Sequence, residues 1–193
     1  MKIEALQAIA KEIAECRKCR LWTMRLNPVP GDGNPNAKIM FIGEAPGYYE
    51  DIEGKPFVGA AGRLLNQLLM GLNREELFIT NIVKCRPPNN RAPLFDEIAA
   101  CAEYLDRQIL IIKPKVIVCL GRYSTNYILK KSGIKIPNSI AKIRGRLFSI
   151  DYQGLRIFAI FTYHPAAALY NPSIRKYLVE DFKLIGEIIK NNL

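Results

Sequence analysis

The sequence predicts a single α/β domain with a largely parallel central sheet and helices on both faces. Three observations carry this. Apolar strand-like runs alternate with helix-period segments along almost the whole chain, the pattern of successive βα units. The runs IMFI (39–42) and VIVCL (116–120) are apolar at every position, as befits strands covered on both sides. The chain has 193 residues, enough for one substantial core but too few for two comfortable domains, so residues 1–193 are read as one domain.

In chain order, residues 2–15 place Ile3, Leu6, Ile9, Ala10 and Ile13 at helical spacing. Residues 20–37 hold prolines, glycines and asparagines and read as loop. Residues 38–43 are the first strand, which turns out through Gly43, Pro46 and Gly47 past Glu44, Glu50 and Asp51. Residues 60–71 form a helix with Leu64, Leu65, Leu68 and Leu69 inward and Gly71 as its stop. Leu77–Val83 is a strand leading into the polar stretch KCRPPNNRAP, and 94–112 is a long helix ended before Pro114. Val116–Leu120 is a buried strand, followed by a helix at 122–131. Residues 145–152 and 155–161 are strands joined at Tyr152-Gln153-Gly154. His164-Pro165 opens a loop, and 173–190 is the closing helix. Neither repeats nor low-complexity segments interrupt this order.

Composition bounds the function. The longest apolar runs fall short of the roughly 18 residues a membrane helix needs. The N-terminus, amphipathic and containing acids, lacks signal-peptide architecture, so a cytoplasmic protein is expected. A net charge of +10 and a pI of about 9.4 do not assist folding but attract polyanions, which directs attention to nucleic acid. Frequent lysine and aliphatic residues with a single histidine are compatible with a thermophilic source.

Five cysteines occur. Cys119 lies inside VIVCL and reads as core. Cys16 and Cys19 form a C-x2-C pair after the first helix, Cys85 follows the second strand, and Cys101 sits on the next helix. Disulfides are disfavoured without export signals, and a redox C-x-x-C normally opens a helix, whereas this one ends it. A four-thiolate centre fits better, with Arg17, Lys18, Arg20, Lys84 and Arg86 offsetting its charge. Zinc and an iron–sulfur cluster both accept four thiolates; the dispersed spacing leans towards the cluster.

Ligands of such sheets sit beyond the carboxyl ends of the strands. Three polar exits lie there: Gly43–Asp51, Asn81–Arg91 and Tyr163–Asn171. His164 can donate to a leaving oxygen or act as a base. Asn81 offers the acceptor and donors that complement a nucleobase edge. Phe57, in GKPFVG, can stack on a flat ring. Chemistry on a base requires it to leave the stack, and Leu169 is a candidate wedge. Two rival classes remain at this level: a non-catalytic iron–sulfur nucleic-acid binder, and a Mg²⁺-dependent nuclease or nucleotide hydrolase using the acids.

The segments GEAPGYYED, GKPFVGAAGRLL, TNIVKCRPPNNR and YHPAAAL, together with the four cysteines, resemble the family 4 uracil-DNA glycosylases, the iron–sulfur type of thermophilic archaea and bacteria. The likeness runs from about Cys16 to the final helix. It implies a three-layer α/β/α sandwich with a four-stranded parallel sheet, and hydrolytic removal of uracil from DNA as the first step of base excision repair. It implies a [4Fe–4S] cluster on Cys16, Cys19, Cys85 and Cys101. By motif position, Gly43, Glu44, Ala45 and Gly47 line the pocket. Phe57 stacks on uracil, Asn81 reads its polar edge, His164 hydrogen-bonds O2, and Leu169 lies in the loop entering the minor groove. The superfamily's water-activating Asp is replaced by Ala45, so Glu50, with Glu44 second, is the expected substitute. The Tyr that excludes thymine corresponds to Gly47, leaving Glu50 or Tyr48 for that task. Lys84, Arg86, Arg91 and Arg144 are expected to grip phosphates, with Asn90 touching substrate or backbone. The expected partner is uracil-containing DNA, single- or double-stranded, bound by a monomer; a sliding clamp is a further candidate.

Overall fold

The computed structural model describes residues 1–192. Helix α1 (Lys2–Glu15) leads into a loop holding the two-residue strand β1 (Asp32–Gly33). Strand β2 (Ile39–Gly43), helices α2 (Tyr48–Glu53) and α3 (Ala60–Leu68), strand β3 (Leu77–Asn81) and helix α4 (Phe95–Ile112) follow. Then come strand β4 (Val116–Leu120), helix α5 (Arg122–Lys131), strands β5 (Leu147–Tyr152) and β6 (Leu155–Thr162), and helices α6 (Ala167–Tyr170) and α7 (Pro172–Asn192).

The sheet order is β1-β3-β2-β4-β6-β5. The four middle strands are parallel, as expected, and each edge adds an antiparallel strand. The four-stranded sheet implied by resemblance is thus the centre of a six-stranded one. On one edge the reason is local. Gln153 and Gly154 both have positive φ, 51° and 85°, the two-residue turn that folds β5 back on β6 as a hairpin. On the other edge, β1 lies within the segment read as loop and pairs Asp32 with Ile79. A two-residue strand leaves no periodicity to read.

Strand side chains alternate between faces. Met40, Ile42, Ile117 and Phe161 pack against Leu105 and Ile109 of α4 and Ile128 of α5. Ile39, Phe41, Val118 and Ile160 pack against Leu65 of α3 and Leu178, Phe182 and Ile185 of α7. Each wholly apolar run therefore serves two cores, which is why it shows no alternation in sequence, and the three-layer arrangement follows. Each fully buried side chain of this size contributes about 1.5–3 kcal/mol. Helix α1 is held on the α4 side by Ile9 and Ile13, which pack with Leu21, Val83 and Tyr104. No helix among the described residues is long and apolar enough to cross a membrane.

Two features aim the fold at one place. Strand β2 has β3 on one side and β4 on the other, so the winding direction reverses there and a crevice opens beyond the strand ends. Ile82 and Val83, expected to end the second strand, instead donate their N–H groups to Gly43 O and Glu44 O at 3.1 and 3.0 Å. The exits of β2 and β3 thus run side by side into the crevice.

Candidate active site

Gly43 and Asn81 are register partners at the ends of β2 and β3, and His164 follows the end of β6. A cavity of about 530 Å³ opens between them, lined by Glu44, Ala45, Gly47, Phe57, Asn81 and His164 among others. Residues far apart in sequence therefore meet around one space.

Phe57 is 8% exposed and has φ of 54°, a left-handed conformation that bulky residues rarely adopt. Such strain persists only where the surroundings impose it, and it concentrates at functional sites. Helix α3 permits it through Gly62, where a Cβ would lie 1.8 Å from the Phe57 carbonyl oxygen. The Phe57 ring lies 5.7 Å from the His164 ring, with 27° between their planes.

Asn81 is 2% exposed, yet its Oδ1 accepts no hydrogen bond. Leaving a buried acceptor unpaired costs about 1–3 kcal/mol; facing a cavity, it marks a place where a ligand donates. Gly43 keeps that place open. A Cβ there would come 2.3 Å from Asn81 Oδ1 and 2.7 Å from Phe57 Cζ. Gly43→Ala should therefore leave the fold intact and lower the catalytic rate by about 10²-fold, the effect of a displacement near 1 Å. Wild-type turnover by this variant would remove Gly43 from the site.

His164 is partly buried. Its Nδ1 accepts the Ala166 N–H at 3.1 Å, which leaves Nε2 as the proton-bearing nitrogen. Burial lowers its pKa from 6.5 to about 4, with Glu50 pulling weakly upward. The imidazole is thus a neutral donor at neutral pH.

The three carboxylates of the first loop divide their work. Asp51, 2% exposed, accepts the Leu26 N–H at 3.0 Å and braces the N-terminal loop. Glu50 accepts N–H bonds from Gly47, Val58 and Gly59 at 3.1, 2.9 and 2.8 Å. It ties the Gly47 turn to the backbone immediately after Phe57 and is already heavily engaged as an acceptor. Its Oε2 would lie 2.8 Å from a Cβ at Gly47, so it occupies the space a side chain there would enter. Glu44, the second-ranked substitute, accepts no side-chain hydrogen bond among the described residues. Burial raises its pKa, and Arg122 counteracts this.

The basic residues divide similarly. Lys84, expected on a phosphate, is a correction. It is fully buried, donating to Thr80 Oγ1 at 2.6 Å and to Asn81 O and Gln108 Oε1 at 2.8 Å. Arg144 is also corrected. It is bound to Asp181 and Glu180 and packs over the Tyr177 ring at 4.2 Å, with the side chain 17% exposed, so it is no free phosphate clamp. Arg91 lines the cavity but forks onto Glu97 at 2.8 and 2.7 Å. Arg86 stacks over the Tyr48 ring at 4.9 Å and donates to Asn90 Oδ1 at 2.7 Å; Asn90 is exposed and lines the cavity. Leu169, on α6, is 48% exposed beside the cavity rather than lining it.

Sequence reading missed Arg122, although it leaves β4 at the same sheet edge as the three exits considered. It also missed Tyr49 and Tyr170, which line the cavity rim. A second small cavity brings Cys16, Cys19, Cys85 and Cys101 together, while Cys119 is buried in the core. No three His, Cys, Asp or Glu side chains among the described residues are grouped to hold one metal ion. The donor set fits a larger thiolate-bound centre with hydrogen bonds to sulfur. Lys84 N–H donates to Cys101 Sγ at 3.2 Å, and Arg25 Nη1 donates to Cys85 Sγ at 3.1 Å. Arg25 also caps α1 through the Ile13 carbonyl, a role its place in an irregular loop does not announce.

A family model described as the uracil DNA glycosylase superfamily matches residues 30–184. Among curated relatives, the type-4 uracil-DNA glycosylase of Sulfurisphaera tokodaii is 57% identical, covering 96% of this chain and 86% of its own. That of Saccharolobus solfataricus is 56% identical over 98% and 88%, and that of Archaeoglobus fulgidus 47% identical over 96% and 94%.

Proposed function

The chain belongs to the uracil DNA glycosylase superfamily, and on that premise we propose that it hydrolyses the N-glycosidic bond of deoxyuridine in DNA, releasing uracil and leaving an abasic site. The observation that carries this is the unpaired, buried Oδ1 of Asn81 at the floor of a cavity walled by Phe57 and His164. Uracil presents an N–H between two carbonyls, and an amide complements it with one acceptor and one donor. Cytosine presents the opposite pattern at the same edge and would leave the amide unpaired.

The base must be extruded to reach this cavity. Phe57 then offers a face for stacking, and exposed Leu169 is placed to fill the vacated stack. As the C1′–N1 bond breaks, its electron pair passes to the pyrimidine and negative charge gathers on O2. His164 Nε2–H donates to that oxygen. A neutral donor aimed at developing charge lowers the barrier without a proton leaving the protein. Water adds to C1′ from the open side, and its proton passes to a carboxylate. Glu44 is the better candidate for that role, because burial moves its pKa towards working pH and its oxygens are free of side-chain partners. Glu50 instead holds the loop and fills the space next to Gly47, where it blocks the 5-methyl group of thymine. Cys16, Cys19, Cys85 and Cys101 would hold a [4Fe–4S] cluster, which supplies a cross-link between the N-terminal segment and the loop after β3.

A gel assay on matched oligonucleotides bearing uracil, thymine or cytosine tests the reading. Cleavage of the uracil strand alone, after alkaline treatment, is the expected result; equal cleavage of all three, or cleavage of none, would reject it. DNA affinity should fall linearly with salt on logarithmic axes, and Arg86→Ala should reduce that slope by about 1 if Arg86 meets a phosphate.

A further inference from the structure

We propose that Lys84 is a positioning residue that fixes Asn81 for base reading and anchors that pose on the cysteine cavity. The inference rests on the uracil-reading role given to Asn81 above. Lys84 stands three residues after Asn81 and one before Cys85. All three donors of its ammonium group are engaged: Thr80 Oγ1, the carbonyl oxygen of Asn81, and Gln108 Oε1. None of these acceptors is a carboxylate. The first two belong to the end of β3, so the side chain folds back over the strand exit and clamps it. Gln108 lies on α4 and donates to Pro30 O at 2.7 Å, an oxygen that also accepts from Thr80 Oγ1 at 3.0 Å. The clamp therefore joins β3 to α4 and to the N-terminal loop.

The same residue's backbone faces the thiols. Its N–H donates to Cys101 Sγ at 3.2 Å, and its carbonyl accepts from Val29 N at 2.7 Å. One residue thus holds the reading strand with its side chain and a cysteine with its backbone. A buried lysine without a carboxylate is costly unless every donor is satisfied. A leucine or methionine would fill the same volume but take the donor away from all three acceptors, so the geometry assigns Lys84 a task beyond filling volume. That task is to hold the Asn81 peptide, whose side chain shares the cavity with Phe57.

A double-mutant cycle on the intact protein tests this. Lys84→Met keeps the length and removes the donors. Alone, it should retain wild-type iron content and visible absorbance, leave DNA affinity unchanged, and slow single-turnover uracil release about tenfold or more. Amide exchange at Asn81–Val83 should accelerate. In the Asn81→Ala background the same substitution should have little further effect, because the reading group it positions is gone. Fully additive losses, or wild-type rate and exchange in iron-replete Lys84→Met, would overturn the proposal. If that variant does not fold, Thr80→Val removes one acceptor and should show the same non-additivity with a smaller effect; additivity there overturns it equally. Should Asn81→Ala itself release uracil at the wild-type rate, the reading role of Asn81 fails first, and the two failures are told apart.

Discussion

His164→Ala should slow single-turnover uracil release about 10²–10³-fold, the cost of deleting one preorganised donor to developing charge, while DNA affinity changes little. The separation matters because His164 is assigned to the base inside the cavity, whereas the phosphate contacts are assigned to Arg86 and the other basic side chains. Equal loss of binding and rate would strip His164 of this role. The pH profile offers a second check. With a pKa held near 4 by burial, the ring stays neutral across pH 5.5–8 and the rate should show no step near 6.5 from this group. A rate that fell as pH rose through 6.5 would mean that a protonated His164 is the active form. Stability moves with it. Below pH 6.5 the unfolded chain takes up a proton that the folded chain refuses until about pH 4. Folding should therefore weaken as pH falls through that window, and His164→Gln should flatten the dependence.

Cys101→Ala should empty the thiolate site and lower the thermal midpoint. A cross-link closing a long loop between the N-terminal pair and Cys85 restricts the unfolded chain by about 4 kcal/mol, or about 8–16 °C for a domain of this size. Iron content should fall with it, and uracil release should drop because Cys101 accepts from the Lys84 N–H, next to the Asn81 strand exit. An unchanged midpoint in the variant would show that the four cysteines hold nothing of structural weight. Alanine at Cys119, buried in the core and away from this cavity, is the control: it should cost only the packing of a small side chain and leave iron content as it was.

The sequence by itself determined the architecture and the location of the chemistry. Apolar runs without alternation at 39–42 and 116–120 require cover on both faces, and that alone dictates a central parallel sheet. Polar exits at Gly43–Asp51, Asn81–Arg91 and Tyr163–Asn171 then belong at one edge. Residue type and position singled out Phe57, Asn81 and His164, motif likeness gave them roles, and the fold brings them to one cavity. Only the tertiary structure decided what each charged side chain does. Lys84 and Arg144 look identical to surface cations in a string of residues, because burial depends on what packs over a position from elsewhere in the chain: Gln108 and Val29 against one, Asp181 and Tyr177 against the other. Glu44, Glu50 and Asp51 are likewise indistinguishable until the backbone N–H groups of Gly47, Val58, Gly59 and Leu26 are in place to engage two of them. Periodicity records which face a residue turns to, whereas hydrogen-bond partners are set by long-range contacts that leave no trace in local spacing.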